Sequence, residues 1–170
     1  EHDVGHIHWV AERELPVIEE SKLAHLYFVA DDVCEVFIDG ESIAKQGGRD
    51  RLRDHEIQLR RGKHIIALKC ENRGGGAGVA VQLSHRKGYV FTDSSWKVST
   101  TESKKWTNRR FDDSDWGNAK RICFLGQAPW NSSRSLFAFA APVLLAEVIW
   151  APGGAKENQT VYFRKEFRVR

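Results

Sequence analysis

Hydrophobic and polar residues alternate with a period of two along most of the chain after residue 24. That period puts successive side chains on opposite faces of a β-strand, and a sustained helical period is absent. Strands are therefore predicted over residues 24–31, 34–42, 55–72, 79–85 and 89–99. The dipeptides Asp39-Gly40 and Arg61-Gly62 are typical of hairpin turns, so the first three segments predict a meander of antiparallel strands.

The later part of the chain changes character. Residues 100–116 are polar and include Trp106 and Trp116, and they predict at most one short helical turn. Residues 136–150 are the most apolar stretch and predict a buried pair of strands. A proline-glycine turn at residues 152–154 precedes a final predicted strand over residues 161–170. The number and spacing of these strands predict an all-β, antiparallel β-sandwich.

The composition is that of a soluble globular domain. Of the 170 residues, 41% are hydrophobic and 29% are charged, and a chain of this length buries enough surface to fold without disulfides. The 26 basic side chains exceed the 23 acidic ones by 26 − 23 = 3 and are scattered, which argues against a nucleic-acid partner. The longest apolar run, residues 136–145, is about half the length of a membrane-spanning helix, so no membrane span is expected.

Several features indicate the context of the chain. It starts at Glu1 and contains no Met, so we expect a processed chain or a piece of a larger, secreted or extracellular protein. Sequons at Asn131 and Asn158 agree with a glycoprotein. The sandwich is predicted to span residues 1–150, and residues 151–170 either complete it or open a following domain. A weak similarity between residues 9–17 and residues 161–169 suggests two edge strands.

The three cysteines do not form a disulfide framework. Cys34 and Cys70 are in phase with inward-facing strand residues, and no CxxC spacing indicates a zinc site. We expect buried free thiols, with a Cys34–Cys70 disulfide as the alternative in an oxidising compartment. His2, His6 and His8 would bind metal only adventitiously at a terminus.

No catalytic signature stands out in the sequence. A Gly-x-Ser-x-Gly motif and a P-loop are both missing, and the acidic pairs fall in predicted turns. We therefore predict a non-catalytic protein, and an enzyme with an unrecognised site is the least favoured reading.

Six tryptophans are several times the usual number for a chain of this length, and tryptophan serves both β-sandwich cores and sugar-stacking platforms. Trp96 and Trp116 lie in alternating contexts that favour core packing. A sugar site needs an aromatic face beside planar polar groups, and loops supply these most readily. The predicted sugar-binding residues in loops are Trp130, Asn72, Arg73, His85 and Trp106.

Five motifs follow one another in a recognisable order: ADDVCEVFIDGESI, RGKHIIALKCENRGGGAG, FTDSSWKVS, W-x4-FDDSDW and LGQAPW. Together they resemble the galactose-binding-like β-sandwich, or jelly roll, that accompanies the catalytic domains of α-L-rhamnosidases and β-galactosidase-type glycoside hydrolases. The resemblance covers residues 26–130. Two positions depart from the pattern, since Asp39 and His64 stand where Asn is common. The family's Tyr-Phe-Arg-Lys strand is matched only at residues 162–165.

The resemblance implies a jelly-roll fold and a non-catalytic, lectin-like module that binds a glycan or polysaccharide. Jelly-roll carbohydrate modules often hold a structural calcium, for which Asp31 and Asp32 are the predicted ligands together with backbone carbonyls. The alternative function is a structural or interaction domain, which self-associates into a homo-oligomer or packs on a neighbour through a terminal edge strand.

Overall fold

The computed structural model describes residues 22–48, 54–130 and 146–170 of the chain. These residues form eleven strands: β1 (Lys22–Ile38), β2 (Glu41–Gly48), β3 (Asp54–Leu59), β4 (Gly62–Asn72), β5 (Gly78–His85), β6 (Gly88–Phe91), β7 (Lys97–Ser99), β8 (Gly117–Asn118), β9 (Lys120–Phe124), β10 (Glu147–Trp150) and β11 (Gln159–Val169). Every strand pair is antiparallel. The prediction of an all-β antiparallel fold is confirmed.

The long first strand organises the sheet. Its N-terminal half pairs with β3 on one edge and with β5 on the other. After Asp31 and Asp32 the partners change, and the C-terminal half pairs with β2 and β4. The eleven strands form one hydrogen-bonded sheet that is continuous through β1. We call its part around the first half of β1 the N-sheet (β3, β1, β5, β6, β10, β9) and its part around the second half the C-sheet (β2, β1, β4, β11, β7, β8).

The main core lies between the two sheets. One buried cluster contains Leu26 and Phe28 from the N-sheet side of β1 together with Val36, Leu68 and Phe163 from the C-sheet. These residues alternate along their strands, as expected for inward-facing positions. Each sheet therefore contributes one face to a common interior, which gives the sandwich its closed shape.

Both outer faces also carry smaller apolar clusters. On the N-sheet, Tyr27 and Val29 pack with Trp130 and Val148. On the C-sheet, Ile65, Ala67, Trp106, Trp116 and Tyr162 pack together. Because segments outside the sheets cover these faces, several strands are apolar on both sides.

One of the two predicted hairpins is present. Asp39 and Gly40 both have positive φ, 53° and 95°, and they connect β1 and β2 as a type I′ turn requires. A Cβ on Gly40 would also lie 2.7 Å from Oδ1 of Asn108, so glycine is needed there for space as well.

The second predicted hairpin is wrong. Arg61-Gly62 does link β3 to β4, but β3 pairs with the N-terminal half of β1 whereas β4 pairs with the C-terminal half and with β11. The connection crosses from one sheet to the other. The period-two pattern is the same for a hairpin and for such a crossover, so the sequence alone could not separate them.

The last strand is not an edge strand. β11 pairs with β4 along residues 159–169 and with β7 at residues 162–164, which corrects the expectation for this segment. Residues 9–17, the other half of the proposed similarity, lie outside the described residues, as do His2, His6, His8, Asn131 and the apolar residues 136–145.

Within the described ranges, the structure contains no helix long and apolar enough to cross a membrane.

Cys34 and Cys70 are opposite each other on β1 and β4, and both are buried free thiols whose Sγ atoms lie 3.1 Å apart. The expectation of buried thiols is confirmed. The Cys34–Cys70 disulfide stays the prediction for an oxidising compartment. Burial raises the pKa of the Cys70 thiol well above its usual value, and the neighbouring Cys34 raises it further. Both effects keep Cys70 in its unreactive thiol form.

We expect native protein treated with iodoacetamide at mildly alkaline pH to be labelled first at half-buried Cys123, where burial raises the thiol pKa less strongly. Cys34 and Cys70 should react only after denaturation, because alkylation needs an exposed thiolate. Mass spectrometry of tryptic peptides measures each rate. Labelling of Cys34 or Cys70 as fast as Cys123 in the folded protein would contradict their burial.

Candidate functional site

The outer face of the C-sheet carries two recesses beside one loop. Residues 100–116, which connect β7 to β8, cross this face and bury Trp106 and Trp116 against it. We call this connection the crossing loop. It leaves a groove on one side, next to Lys69, and a cleft on the other, next to Lys63.

A buried arginine holds the crossing loop in place. The guanidinium of Arg164, on β11, is 1% exposed. It donates hydrogen bonds from Nε to Asp113 at 2.9 Å and from Nη1 to the carbonyl oxygens of Trp106 and Asn108. Nη2 donates to the carbonyl of Phe111 at 3.4 Å. A buried charge is tolerated only when it is paired and hydrogen-bonded, so the loop and the arginine stabilise each other.

Aromatic contacts complete the attachment of the loop. Trp106 stacks on Trp116 with ring centres 6.2 Å apart and meets Phe37 and Tyr162 edge-on at 5.7 and 5.1 Å. Such offset and edge-on arrangements are the favourable ones for aromatic rings. Trp106 is consequently 5% exposed.

The groove encloses about 480 Å³ between the crossing loop and β1 and β4. Glu35 and Lys69 are paired across these strands, and Tyr162 is the partner of Lys69 on β11. The crossing loop adds Glu102 to this row. Phe37 and the edge of Trp106 form the apolar part of the lining.

The polar groups at the groove form two separate sets of contacts. Lys69 Nζ lies 3.6 Å from Glu102, and the Tyr162 hydroxyl donates to the other oxygen of Glu102 at 3.3 Å. Burial raises the pKa of Tyr162, and the Glu102 carboxylate raises it further, so the phenol stays a donor. On the other side, the Ser42 hydroxyl donates to Glu35 at 2.7 Å. Carboxylate acceptors and an ammonium donor thus surround a small apolar surface.

A second polar cluster lies at the β1–β2 turn. Asp39 accepts hydrogen bonds from Arg109 and from Nδ1 of His64, each at 2.7 Å, and from the backbone of Ile65 at 2.9 Å. Burial alone would raise the pKa of Asp39, but these hydrogen bonds lower it below its ordinary value. Nε2 of His64 faces the carbonyl of Arg60 at 2.8 Å. His64 thus joins two turns and has a structural role there.

The five predicted sugar-binding residues do not form one site. Trp106 borders the groove, although it is mostly buried. Asn72 is the last residue of β4 rather than a loop residue; it is buried, and its Nδ2 donates to the carbonyl of Lys156 at 2.9 Å. His85 is the last residue of β5, and the strand separates it by about 23 Å from Gly78 at the other end. Arg73 is exposed beside Asp32, whose carboxylate accepts its backbone N–H at 2.7 Å.

The expected exposure of Trp130 is wrong. The residue follows Pro129 in a loop as expected, but its side chain is 2% exposed and packs with Tyr27 and Val148 on the N-sheet. A Cβ on Gly78 would lie 2.9 Å from Trp130 Cζ2, so the glycine makes room for the ring. Trp96 and Trp116 are buried, as their contexts predicted.

The predicted calcium ligands receive no support from further side chains. Asp31 and Asp32 lie where β1 changes partners, but no group of three or more His, Cys, Asp or Glu that could hold a metal occurs among residues 22–48, 54–130 and 146–170. The calcium site remains a prediction.

Sequence reasoning missed Glu35, Lys69 and Glu102. The period-two alternation does predict that Glu35 and Lys69 lie on outward faces of their strands, and this is the sequence pattern from which they could have been found. Their pairing across β1 and β4, and the position of Glu102 on a loop that folds back over the sheet, depend on tertiary structure.

No known family model matches the chain, and no curated protein matches it. Among solved structures, the lectin of Pleurotus ostreatus is similar in two forms. For the crystal structure in complex with GalNAc, the TM-score is 0.57 at 18% identity, covering 68% of this chain and 37% of the lectin chain. For the apo form, the TM-score is 0.56 at 18% identity, with 68% and 36% covered. At this identity the similarity shows a shared β-rich fold, and this chain matches little more than a third of the lectin's length.

We expect Arg164→Lys to lower the free energy of unfolding by about 3 kcal/mol, because a lysine cannot replace the fork of hydrogen bonds to Asp113 and three loop carbonyls. Chemical denaturation followed by tryptophan fluorescence measures the change. Arg168→Lys, at an exposed position on the same strand, is the matched control and should change stability by less than about 0.5 kcal/mol. Equal effects of the two substitutions would contradict the role assigned to Arg164.

Proposed function

We propose that the protein is a non-catalytic, carbohydrate-binding module and that its sugar site is the groove beside the crossing loop. The observation that carries the proposal is the row formed by Glu35, Lys69 and Glu102 beside half-buried Phe37, with the small exposed part of Trp106 next to it. Saccharide rings present hydroxyl groups at their edges and C–H groups on their faces. A few placed polar groups around an apolar surface suit both features.

The charges of the groove favour a neutral saccharide. Glu35 and Glu102 oppose Lys69, Lys104 and Lys105, so the lining is nearly balanced. Carboxylates accept from pairs of hydroxyl groups, and an ammonium group donates to hydroxyl oxygens. The similar fold of a lectin solved with GalNAc supports this reading at the level of fold.

The finer parts of the proposal concern family and context. We propose a galactose-binding-like jelly roll, as the five motifs indicate, in a secreted glycoprotein or as an accessory module of a larger glycoside hydrolase. A structural calcium at Asp31 and Asp32 belongs to the same proposal. The described residues place Asn158 in the β10–β11 connection with a positive φ of 53°, an exposed position that a glycan can occupy.

We expect the folded protein to bind neutral glycans on an array, and Glu35→Gln combined with Glu102→Gln to weaken the best ligand about 10- to 100-fold. A hydrogen bond to a charged group contributes about 1.5–3 kcal/mol net, whereas the neutral bond that a glutamine can still form contributes about 0.5–1.5 kcal/mol. Isothermal titration calorimetry measures the affinity. Glu56→Gln, at an exposed position on β3, is the control and should leave it unchanged.

Two results would contradict the proposal. The first is a silent array with a protein shown to be folded by its far-ultraviolet circular dichroism. The second is glycan binding that the double substitution in the groove leaves unaltered, which would remove the groove as the site.

A second candidate function is self-association through β9. This strand lies at the end of the strand order and pairs only with β10 among the described strands. Its Ile122 and Phe124 are 43% and 49% exposed. An edge strand with exposed apolar residues is a template for pairing with another chain, and this observation supports the interaction domain in its homo-oligomeric form.

If β9 mediates self-association, light scattering should show a mass that rises with concentration from 19.4 kDa towards twice that value. Phe124→Glu should then restore the monomer, because it adds a charge at the pairing edge. Leu23→Glu is a matched control at an exposed apolar position on β1. A single monomeric mass at every concentration would rule this candidate out.

A further inference from the structure

The cleft on the other side of the crossing loop has a different chemistry from the groove. It encloses about 320 Å³, within the range typical of small-ligand sites. Six basic side chains and two acidic ones line it, a balance of 6 − 2 = +4. The whole chain has a net charge of +3, so the cleft concentrates more positive charge than the entire sequence carries.

Half of these basic groups are already paired. Lys63 lies 2.7 Å from Glu166, Arg164 donates to Asp113, and Arg109 lies 2.7 Å from Asp39. These three cations therefore serve the fold.

The other three have no carboxylate partner in the described parts of the chain. Lys165 Nζ donates to the Ser95 hydroxyl at 2.6 Å, and Lys97 Nζ donates to the carbonyl of Trp116 at a long 3.4 Å. Arg110 is exposed in the crossing loop. Each keeps donor capacity, since an ammonium group has three donors and a guanidinium five.

We propose that this cleft binds the sulfate or carboxylate group of an acidic saccharide through Lys97, Arg110 and Lys165. Like charges held close together repel one another, and a bound anion removes that repulsion while accepting several charge-assisted hydrogen bonds. The guanidinium of Arg110 fits such oxyanions with two parallel bonds.

The lining argues against a single-stranded nucleic acid. Phe111 is the only aromatic residue among the described residues of the cleft. Its ring meets Trp116 edge-on at 5.6 Å and lies 5.0 Å from the Arg164 guanidinium. Single-stranded nucleic acids bind through bases stacked on free aromatic faces, and this ring is engaged within the protein.

The cleft and the groove lie on the same face. Lys63 and Lys69 are six residues apart on β4, which corresponds to about 20 Å. The identity of the ligand as a saccharide rests on the proposed function, whereas anion binding by the cleft stands on its own charges. An extended glycan with neutral and acidic units could contact both recesses.

The test compares a sulfated oligosaccharide, such as a heparin fragment, with its chemically desulfated form by calorimetry at low and at high salt. We expect the sulfated form to bind at least about tenfold more tightly at low salt and to weaken as salt rises, because salt screens exposed charges. Arg110→Gln combined with Lys165→Gln should remove most of this preference. Lys87→Gln combined with Lys120→Gln, at exposed positions in the β5–β6 turn and on β9, changes the net charge equally and should leave the preference intact.

Four results would overturn the proposal. The sulfated and desulfated oligosaccharides could bind equally well, or the two double variants could lose the same affinity for the sulfated one. The protein could bind free sulfate but not the sulfated oligosaccharide, or it could bind a single-stranded oligonucleotide of the same charge more tightly. Titrating the neutral array ligand against the cleft variants separates the two proposals. The neutral ligand should bind the cleft variants as tightly as the unchanged protein. If the groove variants lose the neutral ligand, the preference of the cleft for the sulfated oligosaccharide is still tested independently.

Discussion

The fold depends on one strand that belongs to two sheets. β1 is hydrogen-bonded along both edges, first to β3 and β5 and then to β2 and β4, with the exchange at Asp31 and Asp32. A backbone buried on both faces must satisfy its polar groups through neighbouring strands. Because the partners change halfway, the two sheets are held together by a continuous backbone as well as by the side chains packed between them.

The functional face depends on a second constraint, the burial of the Arg164 guanidinium. A sheet face that carried Ile65, Ala67 and Tyr162 without a cover would expose a large apolar patch. The crossing loop covers it, and Arg164 donates hydrogen bonds to three carbonyl groups of that loop. The groove and the cleft are the spaces that remain on either side of a loop held in this way.

The two recesses differ in how completely their charged groups are paired. In the groove, Lys69 and Glu102 lie within 3.6 Å, so donors and acceptors are balanced around Phe37. In the cleft, Arg109 and Arg164 hold the turn and the loop, whereas the cations without a carboxylate partner among the described residues are available to the proposed anion. The same loop thus creates one nearly neutral surface and one basic surface on a protein of small net charge.

The sequence by itself determined the class of fold, since period-two alternation predicted most strands and Asp39-Gly40 predicted a real hairpin. It also identified Trp96 and Trp116 as core residues and Cys34 and Cys70 as inward-facing thiols, because these positions follow the strand period. Only the tertiary structure decided that β3 and β4 enter different sheets and that Trp130 is buried. It also decided that Glu35, Lys69 and Glu102 meet. Alternation specifies which face of a strand a residue occupies, whereas the partner strand and the loop above that face depend on contacts between residues far apart in the chain.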